Sequence, residues 1–207
     1  LNYYRSLLDS KVIILAMVKA QSYGGGIVEI AEFLETEKIN YFGVAYADEG
    51  VDLRKAGIKT PIMVMNPERE AFHSMIKYKL EPEIYNLELL QGFIGMLKTS
   101  LLCDGSVFPI HIKLDTGMHR LGFEEEELSA LLAILDDNAL IKVQSVFSHL
   151  VGSGDKKYDE YTISQLSKFD AMALSIETSL SYQFDRHILN SSGVERFPDS
   201  QYDMVRI

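Results

Sequence analysis

The sequence predicts an α/β protein with a (β/α)8 TIM-type barrel. Eight short apolar, β-branched runs recur along its 207 residues with helical patterns between them, the signature of parallel βα units. One of these runs, Val12-Ile13-Ile14-Leu15-Ala16-Met17-Val18, is apolar throughout, as a strand buried on both faces must be. Reactive and charged side chains, Lys19, Arg120, His149, Ser191 and Arg206, stand where runs give way to the following loops, and that is the functional face of such a barrel.

Residues 1–8 read as an amphipathic helix. Because the chain does not begin with Met, its natural N-terminus is expected upstream. Strands are expected at 12–20, 41–47, 61–66, 83–86, 108–115, 141–149, 187–191 and 202–207. Between them, segments 28–37, 48–56, 68–77, 87–101, 124–135 and 158–178 place apolar residues at i, i+3, i+4 over a charged face, so helices should coat the barrel. The acidic run 124–127 opens one of these helices and suits the positive end of its dipole, as a solvated cap. A doubly wound open sheet is the competing architecture, but its first βα turn should carry a G-x-G-x-x-G fingerprint. Tyr23-Gly24-Gly25-Gly26 does not match that spacing. A single domain over 1–207 is expected, without internal repeats.

Composition narrows the function classes. With 47% hydrophobic and 24% charged residues the chain is ordinary globular material. No stretch approaches a membrane span or a secretory signal. A formal charge of −10 with scattered Lys and Arg argues against nucleic acid as a partner. Cys103 is the only cysteine; it is expected to be a packing residue in a reducing cytoplasm, and no metal site is expected.

Lys19 follows the most apolar run and is a candidate for Schiff-base chemistry with an aldehyde; the bland alternative is a lysine snorkelling from a strand end into water. His149, which closes a strand in Phe147-Ser148-His149-Leu150, would on its own be read as a hydrogen-bonded core histidine.

The run Val18-Lys19-Ala20-Gln21-Ser22-Tyr23-Gly24 resembles the cofactor motif of the alanine racemase family, with Gly25 where the family usually has histidine. Lys113-Leu114-Asp115-Thr116-Gly117-Met118-His119-Arg120-Leu121-Gly122 resembles the same family's strand-end segment, and His187-Ile188-Leu189-Asn190-Ser191-Ser192 with Met204-Val205-Arg206 its closing barrel segment. The matches span essentially the whole chain.

The resemblance implies pyridoxal 5'-phosphate (PLP) bound to Lys19 as a Schiff base, with Lys19 also the catalytic base on one face of the substrate. Tyr23 and Ser191 would hold the phosphate, and Asn190 would support them. Arg120 would orient the cofactor's phenolic oxygen and the substrate carboxylate, steadied by Lys113, which is often carbamylated in the family. Arg206 would face the pyridine nitrogen, with His149 behind it. The implied activity is racemisation of L-alanine to D-alanine for peptidoglycan, with a homodimer as the full-length form.

The family's last barrel helix and C-terminal β-domain, which supplies a second catalytic base, a tyrosine, from the partner subunit, are missing from the sequence. The chain alone is therefore expected to be inactive. Three alternatives stand beside this reading: a non-catalytic PLP-binding regulatory barrel, a racemase or decarboxylase of the same fold for another amino acid, and a barrel whose lysine reacts with a sugar or keto acid.

Overall fold

The computed structural model describes residues 1–100 and 107–207. Cys103 therefore lies outside the described residues, as does the C-terminal end of the helix expected over 87–101. Eight parallel strands alternate with helices in chain order: α1 (Asn2–Leu7), β1 (Ile13–Met17), α2 (Lys19–Gly24), α3 (Ile27–Thr36), β2 (Tyr41–Val44), α4 (Ala47–Lys55) and β3 (Ile62–Val64). Next come α5 (Phe72–Tyr78), β4 (Glu81–Ile84), α6 (Leu87–Thr99), β5 (Phe108–Lys113), α7 (Leu128–Asp136) and β6 (Ile141–Phe147). The chain finishes with α8 (Asp159–Ser179), β7 (Asp185–His187), α9 (Ser191–Arg196) and β8 (Met204–Arg206).

The strands pair in the order β7-β6-β5-β4-β3-β2-β1-β8. The ring is joined by backbone bonds from Asp203 N–H to Arg186 O at 3.1 Å and from Arg206 N–H to Leu189 O at 3.0 Å. The expected (β/α)8 barrel is what the chain builds. Among the described residues no helix is long and apolar enough to cross a membrane.

Strand side chains alternate between two environments. Outward residues such as Ile14, Phe42, Val64, Ile84, Ile110, Ile112 and Val146 join the main core under the helices, where Phe72, Phe93 and Phe169 are fully buried. Inward residues fill the barrel. Leu15, Tyr41, Met63, Phe147 and Met204 form a small apolar plug, and around it sits a buried polar chain. The Tyr41 hydroxyl donates to Glu81 at 2.5 Å, and Glu81 also bonds His111 Nε2 at 2.8 Å. His111 Nδ1 meets Ser145 Oγ at 2.7 Å, which in turn meets His187 Nε2 at 3.1 Å. Each polar group thus has a partner, as burial requires.

Several expected boundaries move for physical reasons. The first strand was expected over 12–20 but ends at Met17, so Lys19 lies beyond it and not within it. The fourth begins at Glu81, two residues before its expected start, because Glu81 and Glu83 occupy inward positions that an apolar pattern does not mark. The seventh was expected over 187–191 but occupies Asp185–His187; Asn190 caps the short helix α9, which Ser191 begins. A 3-10 turn at Glu125–Glu127 precedes α7, and Glu127 closes a capping box with Glu124.

Candidate active site

At the C-terminal mouth of the strands lies a pocket of about 610 Å³. Lys19, Tyr23, Arg120 and Arg206 line it, together with Lys113, His149, Asn190 and Ser191. All eight residues singled out in the sequence therefore face one space. Glu83 is the one carboxylate among the lining residues, against the cations Lys19, Lys113, Arg120 and Arg206. A chain of net charge −10 has gathered positive charge here, an arrangement that draws in anions.

Lys19 opens a segment of unusual backbone. Ala20, Gln21, Ser22 and Tyr23 have φ between 51° and 55°, a left-handed turn built from residues with side chains. Such a conformation costs ~1–2 kcal/mol per residue, so neighbours must hold it. Ser22 N–H bonds Val18 O at 3.0 Å and Gly26 N–H bonds Gln21 O at 2.9 Å. The carboxylate of Glu49, at the start of α4, accepts from Ala20 N–H at 2.7 Å and from Ala45 N–H at 2.6 Å. Glu49 thus ties the lysine turn to the end of β2. The turn sets the half-buried Lys19 and the exposed Tyr23 on the pocket wall.

The loop after β5 folds back on its own strand. Asp115 Oδ1 accepts from Gly117 N–H at 2.8 Å and His119 N–H at 3.1 Å, and the Tyr161 hydroxyl donates to Gly117 O at 2.5 Å. Phe123 N–H then bonds Lys113 O at 2.9 Å, while Asp115 N–H bonds Phe123 O at 2.9 Å. Arg120 stands at the exposed tip of this loop and makes no side-chain hydrogen bond or ion pair among the described residues. Lys113 is buried and donates to Glu83 Oε1 at 2.8 Å.

Arg206 Nη2 donates to His149 Nδ1. Burial, and then the charges of Arg206 and Lys113, hold the His149 imidazole down at about 3, so the ring is neutral and able to accept. Burial also lowers Arg206, while Glu83 supports its charge. Gln165 on α8 donates to His149 O at 3.1 Å and accepts from Val151 N–H at 3.1 Å, holding the loop behind the pocket. Asn190 Oδ1 accepts from Ser153 Oγ at 2.8 Å and Gly193 N–H at 2.9 Å, and its Nδ2 donates to Leu150 O at 3.1 Å. The asparagine shapes the loop from which the Ser191 side chain reaches the pocket.

The family model for "Alanine racemase, N-terminal domain" matches residues 1–207. The chain belongs to this family. It is 31% identical over 207 residues to alanine racemase 1 of Oceanobacillus iheyensis, a match covering 99% of the chain and 54% of that protein. It is 33% identical to the serine/alanine racemase of Enterococcus gallinarum, covering 100% of the chain and 28% of that protein. Among solved structures, alanine racemase of Clostridium difficile 630 superposes with a TM-score of 0.90 at 31% identity, covering 99% of this chain and 53% of that one. The chain thus spans about half the length of the first alanine racemase it matches.

Glu49, Glu83 and Gln165 were not singled out in the sequence. A signal existed for Glu49, which sits in the first turn after an apolar strand, where a carboxylate can cap the helix and reach the preceding loop. Glu83 and Gln165 become visible only once β4 and β5, or α8 and the loop after β6, are side by side.

Proposed function

We propose that this chain is the cofactor-binding barrel of a PLP-dependent alanine racemase, and that the full-length protein interconverts L- and D-alanine. The observation that carries the reading is the convergence of Lys19, Tyr23, Arg120, Ser191 and Arg206 on one positively charged pocket at the strand ends. The donor set fits the group. Lys19 provides an amine for covalent attachment, and Tyr23 and Ser191 offer hydroxyls to a phosphate. The guanidinium fork of Arg120 suits a carboxylate or phenolic oxygen. When bound, the cofactor supplies an electron sink for charge developing at the substrate Cα.

The chain's own residues do the rest. Lys19 is the proton carrier for one face of Cα. Neutral His149 accepts from Arg206 and so fixes the guanidinium as a donor toward the pocket, where, as a permanent cation, it would hold the cofactor ring and disfavour its protonation. Racemisation needs an acid–base group on each face. The second, by resemblance, is a tyrosine from the C-terminal domain of a partner subunit, which makes the homodimer part of the reading.

The test is spectral and chemical. The full-length protein purified with PLP should absorb near the visible edge, borohydride should fix the cofactor to the peptide carrying Lys19, and D-alanine should form from L-alanine. Lys19→Ala should abolish all three while leaving the far-ultraviolet circular dichroism intact. Attachment of the cofactor to a different lysine would overturn the assignment.

A further inference from the structure

Glu83 sits on β4 inside the barrel, 1% exposed. Lys113 holds one of its oxygens, but Oε2 has no hydrogen-bond partner among the described residues. A carboxylate oxygen buried without a donor is costly, on the order of 1–3 kcal/mol or more for a charged group. Burial accordingly pushes the Glu83 carboxyl up, against the pull of Lys113, Arg206 and Arg120. The same residue lines the pocket, where Arg120 has donors to spare and Arg206 is engaged with His149. The inventory is lopsided: one buried acceptor lacks a donor, and one guanidinium at the pocket rim lacks an acceptor.

We propose that Glu83 is the positioning residue for Arg120. Lys113 fixes Oε1, and Oε2 is the acceptor that takes the Arg120 guanidinium when an anionic ligand draws it into the pocket. The inference rests on the pocket being the PLP and substrate site.

Two measurements on the full-length protein test this. Phenylglyoxal labelling followed by peptide mapping should find Arg120 protected when PLP and propionate are bound, and reactive in Glu83→Gln under the same conditions. Propionate affinity should fall about tenfold in that variant, the loss of one charge-assisted contact. Since Glu83→Gln strands the Lys113 ammonium, Glu83→Leu combined with Lys113→Met serves as a second variant, with no unpaired charge to impair folding, and should show the same reactive Arg120. Equal protection of Arg120 in the wild type and a folded variant, with PLP still attached to Lys19 in both, would sink the Glu83 inference alone. Failure of Lys19 to take PLP in any of the proteins would instead sink the underlying reading of the pocket.

Discussion

Gly122 closes the loop that carries Arg120, and Gly122→Ala should damage the barrel and the site together. The residue has φ +132°, and an added Cβ would lie 2.5 Å from Asp115 N and 2.6 Å from the Leu114 carbonyl carbon. Both are backbone atoms of the strand end, so no side-chain rotation relieves the contact. The backbone conformation alone costs a non-glycine residue ~1–3 kcal/mol, and forcing the contact costs a further ~1–3 kcal/mol. About 3 kcal/mol is a moderate sum, and for a chain of this size it lowers the melting temperature by ~6–12 °C. The hydrogen bonds of Asp115 and Phe123 flank the clash, so Arg120 should shift with the loop and carboxylate binding should weaken in parallel. Gly95→Ala is the internal control: it lies in α6, an added Cβ meets nothing within 4 Å, and the replacement should stabilise by ~0.4–1 kcal/mol. Differential scanning calorimetry of the two variants reads both effects. An unchanged melting temperature for Gly122→Ala would refute the claim that this glycine is required by backbone packing.

Two further perturbations follow from the site. The His149 imidazole is held at about 3 in the fold against an ordinary 6.5, so between those values the unfolded chain binds more protons. Stability contributed by neutral His149 is therefore complete above pH 6.5 and is lost progressively as pH falls toward about 3. At ~1.36 kcal/mol per pH unit the ceiling is about 5 kcal/mol, and solvent reaching the partly buried ring reduces it to ~2–4 kcal/mol. Urea titrations across this window should show a flatter dependence on pH for His149→Asn than for the wild type; identical slopes would count against the depressed histidine. Replacing Glu49 with Ala removes the acceptor of the exposed Ala20 amide and the half-buried Ala45 amide and should cost ~0.5–1.5 kcal/mol, with PLP affinity falling about tenfold because the left-handed turn loses its tie. Unaltered PLP affinity in a folded Glu49→Ala protein would mean the turn holds itself.

The barrel was legible because its outward faces obey simple periodicity. Ile14, Phe42, Val64, Ile112 and Val146 meet helices whose own apolar stripes repeat at helical spacing, and that pairing of patterns identifies βα units whatever fills the interior. The inward faces were not legible in the same way. Glu81, Glu83, His111, Lys113, Ser145 and His187 are buried, yet each looks like a surface residue until its partner on the next strand is known. Glu81 and His111 are thirty positions apart in the chain and 2.8 Å apart in space. This is why the fourth strand was placed late: its polar residues point into the barrel, and the pattern that marks a half-solvated strand is here a pattern of two different buried layers.

The site divides along the same line. Lys19, Tyr23 and Arg120 lie in contiguous runs whose chemistry is carried by neighbours in sequence, so a local motif is enough to find them. What holds the walls of the pocket in place is distant in sequence: Glu49 reaches the lysine turn from α4, Gln165 reaches the His149 loop from α8, and Glu83 reaches Lys113 from the adjacent strand. A strained turn and a cluster of four cations are both unfavourable in isolation, and each persists here because a carboxylate from elsewhere in the chain offsets it. The motif residues specify the chemistry that is possible, whereas Glu49 holds the turn that carries the lysine and Glu83 holds Lys113 beside the pocket. Substitutions at the two glutamates should therefore alter cofactor and carboxylate binding while Lys19 itself is untouched, which separates them from the lysine proposed to react.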